Sequence, residues 1–505
     1  MTEPNIKLSE SLEILMQLQH EDGVVVLNGT RQITRTHLNR LLKYGYLQEV
    51  ITGWYISSKP GSEGDTTVWY TSFWHFLREY LNARCGKENW CLSSEISLDI
   101  HSGKTTIPDQ VIVRSPNGSN NVQNLMYGTS VLVLGMNLPN NIVQDNQYGL
   151  NMYSVEEALT SITPSYFVSS EISAITSLGI IKDSDKIVRI LLENGNTTKA
   201  GRLAGAFRHI GKTRIADDIV RFMREMDYNV REEDPFGKSI VRSEMIFDDS
   251  PYCSRIRMMW STMRLKIMEL FPIRNTEINI EECLINIEEN YKNDAYHSMS
   301  IEGYQISPEL IERVRSGSWD PLEVDKDNRN ALVARGYYDA FVAVKKSVER
   351  ILKGEHPGKV VDEDHQIWYL RLWGQFAAAG LLKRSDLIGY RNHPVYIRGS
   401  RHTPLNPEAV RDAMATLMDL LKGEESAAVR AILGHFFWGY IHPYMDGNGR
   451  IGRFLMNAML SSGGYGWVVI PMQRREEYML ALEQASINND ITPFASFIKS
   501  LMGEI

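Results

Sequence analysis

The feature that most constrains this chain is a run of twelve residues, His442-Pro443-Tyr444-Met445-Asp446-Gly447-Asn448-Gly449-Arg450-Ile451-Gly452-Arg453. An apolar, helix-patterned stretch, Ala427 to Ile441, stops at His442-Pro443, because the proline biases His442 away from helical dihedrals. Gly447 and Gly449 allow tight backbone turns with N–H groups pointing the same way. A second helix pattern starts at Arg450. A glycine-rich loop that opens a helix is an anion site, since its first amides lack intrahelical partners and the dipole favours negative charge. Arg450 and Arg453 are three apart and so share a helix face. Their guanidinium groups suit the outer phosphates of a nucleotide. Asp446 suits a magnesium ion bridging phosphate oxygens. Asn448 suits a non-bridging oxygen where charge grows. His442, with an ordinary pKa of about 6.5, suits the removal of a proton from an attacking hydroxyl. One glycine pair in a capped turn would carry little. Base, carboxylate, amide loop and paired arginines in a single run carry a phosphate-transfer site.

The surrounding chain sets the frame. At 505 residues it is too long for one core, so two or three domains are expected. A net charge of -8 excludes a uniformly basic, nucleic-acid-coating protein but not a local basic patch. Apolar runs such as Ser130 to Gly135 and Trp467 to Ile470 fall far short of the ~18 residues a membrane span needs. Cys85 and Cys91 are the only close cysteine pair and have no histidine cluster beside them, so a reduced cytoplasmic protein without a zinc site is expected.

The expected architecture is multidomain. An α+β N-terminal half precedes a mainly α C-terminal domain with a β-hairpin flap. Residues 1–60 pattern as a helix, a second helix over 34–45 with Leu38, Leu41 and Leu42 on one face, then a small hairpin, which is the outline of a winged helix. Lys59-Pro60-Gly61-Ser62 reads as a linker. Residues 61–240 are mixed α/β, with strands at Ile107–Val113 and Val131–Val133 and a boundary at Asp234-Pro235-Phe236-Gly237. Residues 241–505 are helical apart from a β-rich interruption, Asn392 to Pro404, around Val395, Tyr396 and Ile397.

The loop resembles the signature of the Fic family, H-P-F-x-D-G-N-G-R-x-x-R, and departs from it only at Tyr444, where the family has an apolar Phe anchor. A tyrosine fills that place if its hydroxyl finds a partner. Gly389-Tyr390-Arg391 with Arg398-Gly399-Ser400-Arg401-His402-Thr403-Pro404 is similar to the family's flap, which positions a target segment by strand pairing. The resemblance implies a protein adenylyltransferase that moves AMP from ATP to a Ser, Thr or Tyr hydroxyl. His442 would be the base and Asp446 the ligand of Mg2+ or Mn2+. Gly447, Asn448 and Gly449 would cradle the phosphates, and Arg450 and Arg453 would grip the outer ones. Val395, Tyr396 and Ile397 would line the flap. Gly449-Arg450 separates the chain from a related kinase subgroup. Relatives commonly dimerise, and the resemblance leaves a homodimer open.

Upstream, Ser298-Met299-Ser300-Ile301-Glu302-Gly303 reads alone as a helix end with Gly303 as its C-cap. Beside the loop it resembles the family's inhibitory motif, [S/T]-x-x-x-E-[G/N], on a helix near 290–303 N-terminal to the core, as in the second class. Ser298, Glu302 and Gly303 would then form a brake in which Glu302 pairs with Arg453. Some relatives use the same glutamate to remove AMP, which leaves both directions open.

Residues 28 to 48 carry Arg31, Arg35, Arg40 and Lys43 and no acidic residue, the charge pattern of a DNA-facing winged helix. Arg35-Thr36-His37-Leu38, Gly45-Tyr46-Leu47 and Gly53-Trp54-Tyr55 resemble the N-terminal domain of AbiEi-type antitoxins. That likeness implies a DNA-binding module fused to the transferase. The competing reading is a transcriptional regulator whose Fic domain senses nucleotide or binds a partner. The intact His442 favours turnover.

Overall fold

In a computed structural model the described residues are 3–19, 25–61, 64–237, 247–271, 278–318 and 328–502. Ser62, the end of the expected linker, and the expected boundary at 240/241 lie outside them. The chain divides into two compact units, Met1–Arg255 with Tyr396–Thr403, and Ile256–Val395 with Pro404–Ile505.

The first unit opens with α1 (Glu3–Gln17), β1 (Val26–Asn28), α2 (Arg35–Lys43), β2 (Leu47–Ile51) and β3 (Trp54–Ser57). The strands pair antiparallel in the order β1-β3-β2. Leu38 and Leu41 turn inward from α2 and pack with Leu15, Val25, Leu27, Ile33 and Leu47. The helical leucine spacing therefore makes the small core that the sequence pattern anticipates.

A second core in this unit forms around α3 (Thr67–Cys85), whose Trp69, Phe73, Phe76 and Leu77 are buried. It packs with a four-stranded sheet of β4 (Cys91–Leu92), β5 (Gln110–Ser115), β6 (Val122–Asn124) and β7 (Ser130–Gly135), in the order β4-β5-β7-β6. The β5–β7 pair is parallel, in register from Gln110↔Ser130 to Ser115↔Gly135. Val111, Val113, Val131 and Val133 alternate onto the buried face. The expected strand at Ile107–Val113 begins three residues later than its sequence pattern, at Gln110. α4 (Thr197–His209) and α5 (Thr213–Glu225) pack against each other further along.

The second unit is helical: α6 (Ile280–Ile301), α7 (Asn328–Leu352), α8 (Pro357–Ala378), α9 (Pro407–Gly423), α10 (Ala427–Ile441), α11 (Asn448–Ser461) and α12 (Arg475–Asn488), with a last helix at Thr492–Leu501. Local chemistry starts several of them. Asn279 caps α6 through Glu281 and Glu282 N–H groups, Asn406 caps α9 just ahead of Pro407, and Ser426 caps α10 through Val429 N–H. α10 is apolar nearly all round, which fits a helix enclosed on every side, and all but two of its fifteen residues are buried. It packs along α11. Gly452 permits this approach, since a Cβ there would sit 2.9 Å from His435 Nδ1 on α10.

One expectation needs correction. No strand ladder forms between Asn392 and Pro404. The segment runs as an irregular stretch with a turn at Arg398–Gly399, and its one strand-like contact is an isolated antiparallel bridge from His402 to Thr106. The β-rich residues there are matched by no second internal strand, because Arg398, Gly399, Arg401 and Thr403 bond instead to Asp65, Thr67, Ile107 and Thr105. Tyr396 and Ile397 thus group with the first unit, and Val395 with the second.

Candidate active site

The α10–α11 turn builds the site. α10 ends at His442, whose φ of 55° and ψ of 62° are left-handed. This is the departure from helix that Pro443 predicts, but into a region that costs a non-glycine residue about 1 kcal/mol or more. His442 Nδ1 lies 3.2 Å from the Gly439 carbonyl. With Nδ1–H donating there, Nε2 carries the lone pair that can accept a proton. Burial pushes the His442 pKa down to about 4, and the Arg391 charge adds to this. The Gly439 carbonyl and Glu302 pull the other way without reversing it. The imidazole is therefore neutral across physiological pH.

Gly447, at φ 86°, is the left-handed N-cap of α11. Asp446 Oδ1 accepts from Gly447 N–H at 2.5 Å, and its side chain is 62% exposed. Gly449 has an ordinary helical backbone, and its role differs from the expected tight turn. A Cβ there would come within 2.3 Å of Glu302 Oε1, so glycine leaves room for close approach of a carboxylate. Asn448 also departs from expectation. Its Oδ1 accepts from Tyr444 N–H at 3.0 Å and its Nδ2 donates to Tyr444 O at 2.7 Å. Both ends of the amide brace the loop, which leaves its main-chain N–H at the first turn of α11 to face an anion.

Arg450 and Arg453 share one face of α11 and both are buried. Arg450 is sandwiched, with its guanidinium carbon 4.9 Å from the Trp373 ring centre and 5.3 Å from that of Tyr304. Its Nη2 is 3.6 Å from Asp446 Oδ1. Arg450 Nε and Nη2 and Trp373 Nε1 have no hydrogen-bond partner among the described residues. Buried donors of this kind normally have acceptors, so this corner fits an anionic oxygen.

Arg453 is held from α6. Its Nε donates to Ser298 Oγ at 2.8 Å, and its Nη2 donates to Ser298 O at 3.0 Å and to Glu302 Oε1 at 2.7 Å. Glu302 is the C-cap of α6 and Gly303 follows at φ 88°. Burial alone would raise the Glu302 pKa. Arg453, Arg450 and His442 outweigh it and hold the carboxyl below its usual range, so the carboxylate is ionised. A second tie lies two turns back on α6, where Asp294 accepts from Tyr337 OH of α7 at 2.7 Å.

Tyr444, the departure from the family signature, is 1% exposed and stacks on Tyr369 at 3.7 Å with rings 2° from parallel. Its hydroxyl is 3.0 Å from His365 Nδ1, and His365 Nε2 is 3.3 Å from Tyr390 OH. Burial pushes His365 down to about 4, so one of its nitrogens donates and the other accepts. The buried hydroxyl has its partner. A cleft of about 550 Å³ lined by Tyr369, Trp373, Phe376, Leu387 and Met445 opens beside Asp446, within the usual size range of ligand pockets.

The donor set also tests a metal. Among the described residues no three His, Cys, Asp or Glu side chains cluster. One exposed carboxylate at a phosphate cradle suits a magnesium ion that a nucleotide brings with it, and does not suit a protein-caged ion.

Residues 365–460, which span this turn and its braces, match the sequence model of the Fic/DOC family. The chain is 32% identical over 166 residues to Protein adenylyltransferase Fic of Drosophila willistoni, covering 28% of this chain and 33% of that protein. It is 38% identical over 166 residues to the protein of the same name from Drosophila mojavensis, covering 28% and 32%. The chain thus spans about a third of the length of these curated relatives. Among solved structures, it is similar to a segment of Fic-1 from C. elegans at 18% identity and a TM-score of 0.36, covering 66% of this chain and 94% of that one. It is also similar to a Fic-domain signaling protein from Bacteroides thetaiotaomicron at 19% identity and a TM-score of 0.33, covering 48% and 93%.

Within the matched residues the predicted His442, Asp446, Gly447, Asn448, Gly449, Arg450 and Arg453 lie on one turn. Ser298 and Glu302 reach the same turn from outside the matched residues. Sequence reading missed Trp373, Tyr304, His365 and Tyr369, which all come from distant positions. Of the four N-terminal cations, Arg31, Arg35 and Lys43 are exposed. Arg40 is partly buried and donates to Lys7 O at 2.6 Å and Ser11 Oγ at 2.7 Å, tying α2 to α1. No described helix is long and apolar enough to cross a membrane.

Proposed function

We propose that this chain is a protein adenylyltransferase that moves AMP from ATP to a Ser, Thr or Tyr hydroxyl of a protein. The observation that carries the reading is His442, neutral and with Nε2 able to accept, beside the amide-and-guanidinium corner of α11. His442 Nε2 takes the acceptor hydroxyl's proton as its oxygen bonds to the α-phosphorus. The bond to the bridging oxygen breaks, and pyrophosphate leaves with the electron pair. The α11 N–H groups and Arg450 and Arg453 hold the β and γ phosphates. Asp446 would hold Mg2+ or Mn2+, which when bound neutralises phosphate charge. Val395, Tyr396 and Ile397 are the proposed docking segment for the target.

Glu302 is the proposed brake, on a helix N-terminal to the core as in the family's second class. Its carboxylate holds Arg453, one of the two phosphate grips, and lies over Gly449, where a triphosphate would approach. Like charge then opposes nucleotide entry in the reactive pose.

The pH profile tests the base. Only the neutral imidazole accepts a proton, and the lowered pKa keeps it neutral until pH falls through about 4. In a Glu302→Gly background the rate of AMP incorporation is expected to stay level from pH 8 to about 5.5. An inflection near the ordinary histidine value of about 6.5 would contradict this assignment.

The first sixty residues are proposed as a winged-helix, DNA-facing module related to AbiEi-type antitoxins, with Arg31, Arg35 and Lys43 toward phosphate. A gel shift on the DNA upstream of the chain's own coding sequence is expected to weaken steeply as salt rises. Absence of any shift at low salt would remove the idea.

A further inference from the structure

The left-handed backbone of His442 needs something to hold it, and the structure places one side chain there. Arg391 Nε donates to His442 O at 2.7 Å and its main-chain N–H donates to Pro443 O at 2.9 Å. Nη2 reaches Ile441 O at 3.4 Å and also Leu405 O, and Nη1 reaches His393 O at 3.1 Å. The carbonyls of three consecutive residues, 441 to 443, are thus all gripped by one residue. Arg391 is 5% exposed, so its charge-assisted guanidinium bonds are largely shielded from water.

We propose that Arg391 is the positioning residue of the reaction, a clasp that fixes the main chain of His442 and so the direction of its imidazole. The inference rests on His442 being the base. These Arg391 bonds go to main-chain carbonyls, so it acts through His442. Its charge has a second effect, since it disfavours protonation of the imidazole. The other charged group facing His442 is Glu302, from the end of α6, which favours protonation. Asp446, Arg450 and Arg453 complete the cradle. A lysine at 391 keeps the charge but loses the planar fork that reaches several carbonyls at once.

The test uses the full chain carrying Glu302→Gly, with AMP incorporation from ATP and Mg2+ followed from pH 3.5 to 8. Arg391→Gln is expected to lower kcat by about 10- to 100-fold with the KM for ATP within about threefold, the pattern of lost transition-state geometry. Its acid limb is expected to move up by about one pH unit, because a nearby positive charge is gone. Arg391→Lys is expected to leave the limb in place and recover part of the rate. Three results would overturn the proposal: unchanged kcat in Arg391→Gln, a lowered kcat with an unmoved limb, or Arg391→Lys no better than Arg391→Gln. If Arg391→Gln fails to fold, Arg391→Lys decides, with a lowered kcat at an unchanged limb in support and an unchanged kcat against. A parent that incorporates no AMP at all refutes the proposed function itself, not the clasp alone.

Discussion

Replacing Glu302 with glycine is expected to raise AMP incorporation by roughly 10- to 100-fold at pH 7.5. The estimate follows from what the carboxylate holds. Arg453 Nη2 sits 2.7 Å from Glu302 Oε1, and a hydrogen bond between charged groups is worth about 1.5–3 kcal/mol, where each 1.4 kcal/mol is tenfold. Removing it returns Arg453 to the phosphates and clears the space above Gly449. The variant loses a C-cap residue, but Gly303 still closes α6, so its melting temperature is expected to change by only a few degrees. Titration supplies the matching sign. The Glu302 carboxyl is held below its usual range in the fold. The pair's contribution to stability is therefore present above the carboxyl's ordinary value and is lost only as pH falls through the lowered one. The proposed brake would then be engaged at neutral pH, and acidity would not be its natural release. A rate in Glu302→Gly equal to that of the parent would remove the brake from the account.

Substituting His442 by alanine in that released background is expected to lower the rate by about 10²- to 10⁴-fold, the usual contribution of a positioned base. The KM for ATP should hardly move, because the imidazole touches the acceptor's proton and not the outer phosphates. The anion corner would remain built by Gly447, Gly449, Arg450 and Arg453, so nucleotide binding measured by titration calorimetry should survive. A large loss of ATP affinity would instead make His442 a structural element of the cradle.

Much of this site was legible because it is local. A proline after a histidine, a glycine at an N-cap and two arginines three apart act within a turn or two of helix, so their spacing carries their geometry. What escaped lies in long-range packing. The hydroxyl of Tyr444 needed a partner, but nothing near it in sequence points to His365, which arrives from α8. Arg450 was expected to grip phosphate, and its aromatic sandwich of Trp373 and Tyr304 comes from two other elements. Asn448 and Arg40 carry local contacts that escaped the sequence reading for one reason. A polar side chain in a ligand-like position was expected to face outward, and each instead satisfies nearby polar groups, Tyr444 for one and α1 for the other. The segment around Tyr396 has strand-like residues but no second internal strand to pair with, a matter of tertiary neighbours that composition does not report.

In the N-terminal half the leucine spacing of α2 and the turn signals located the elements well. The order β4-β5-β7-β6, with its parallel central pair, could not be read from residues whose pairing partners lie twenty positions away.

The central claim is that the imidazole of His442 directs the α-phosphorus of ATP onto a hydroxyl. It is tested most directly by incubating Glu302→Gly, with and without His442→Ala, with ATP labelled at either the α or the γ phosphate. The account predicts protein-bound label from the α position only, and its loss with His442→Ala. Label arriving from the γ position, or α label that persists without His442, would contradict it.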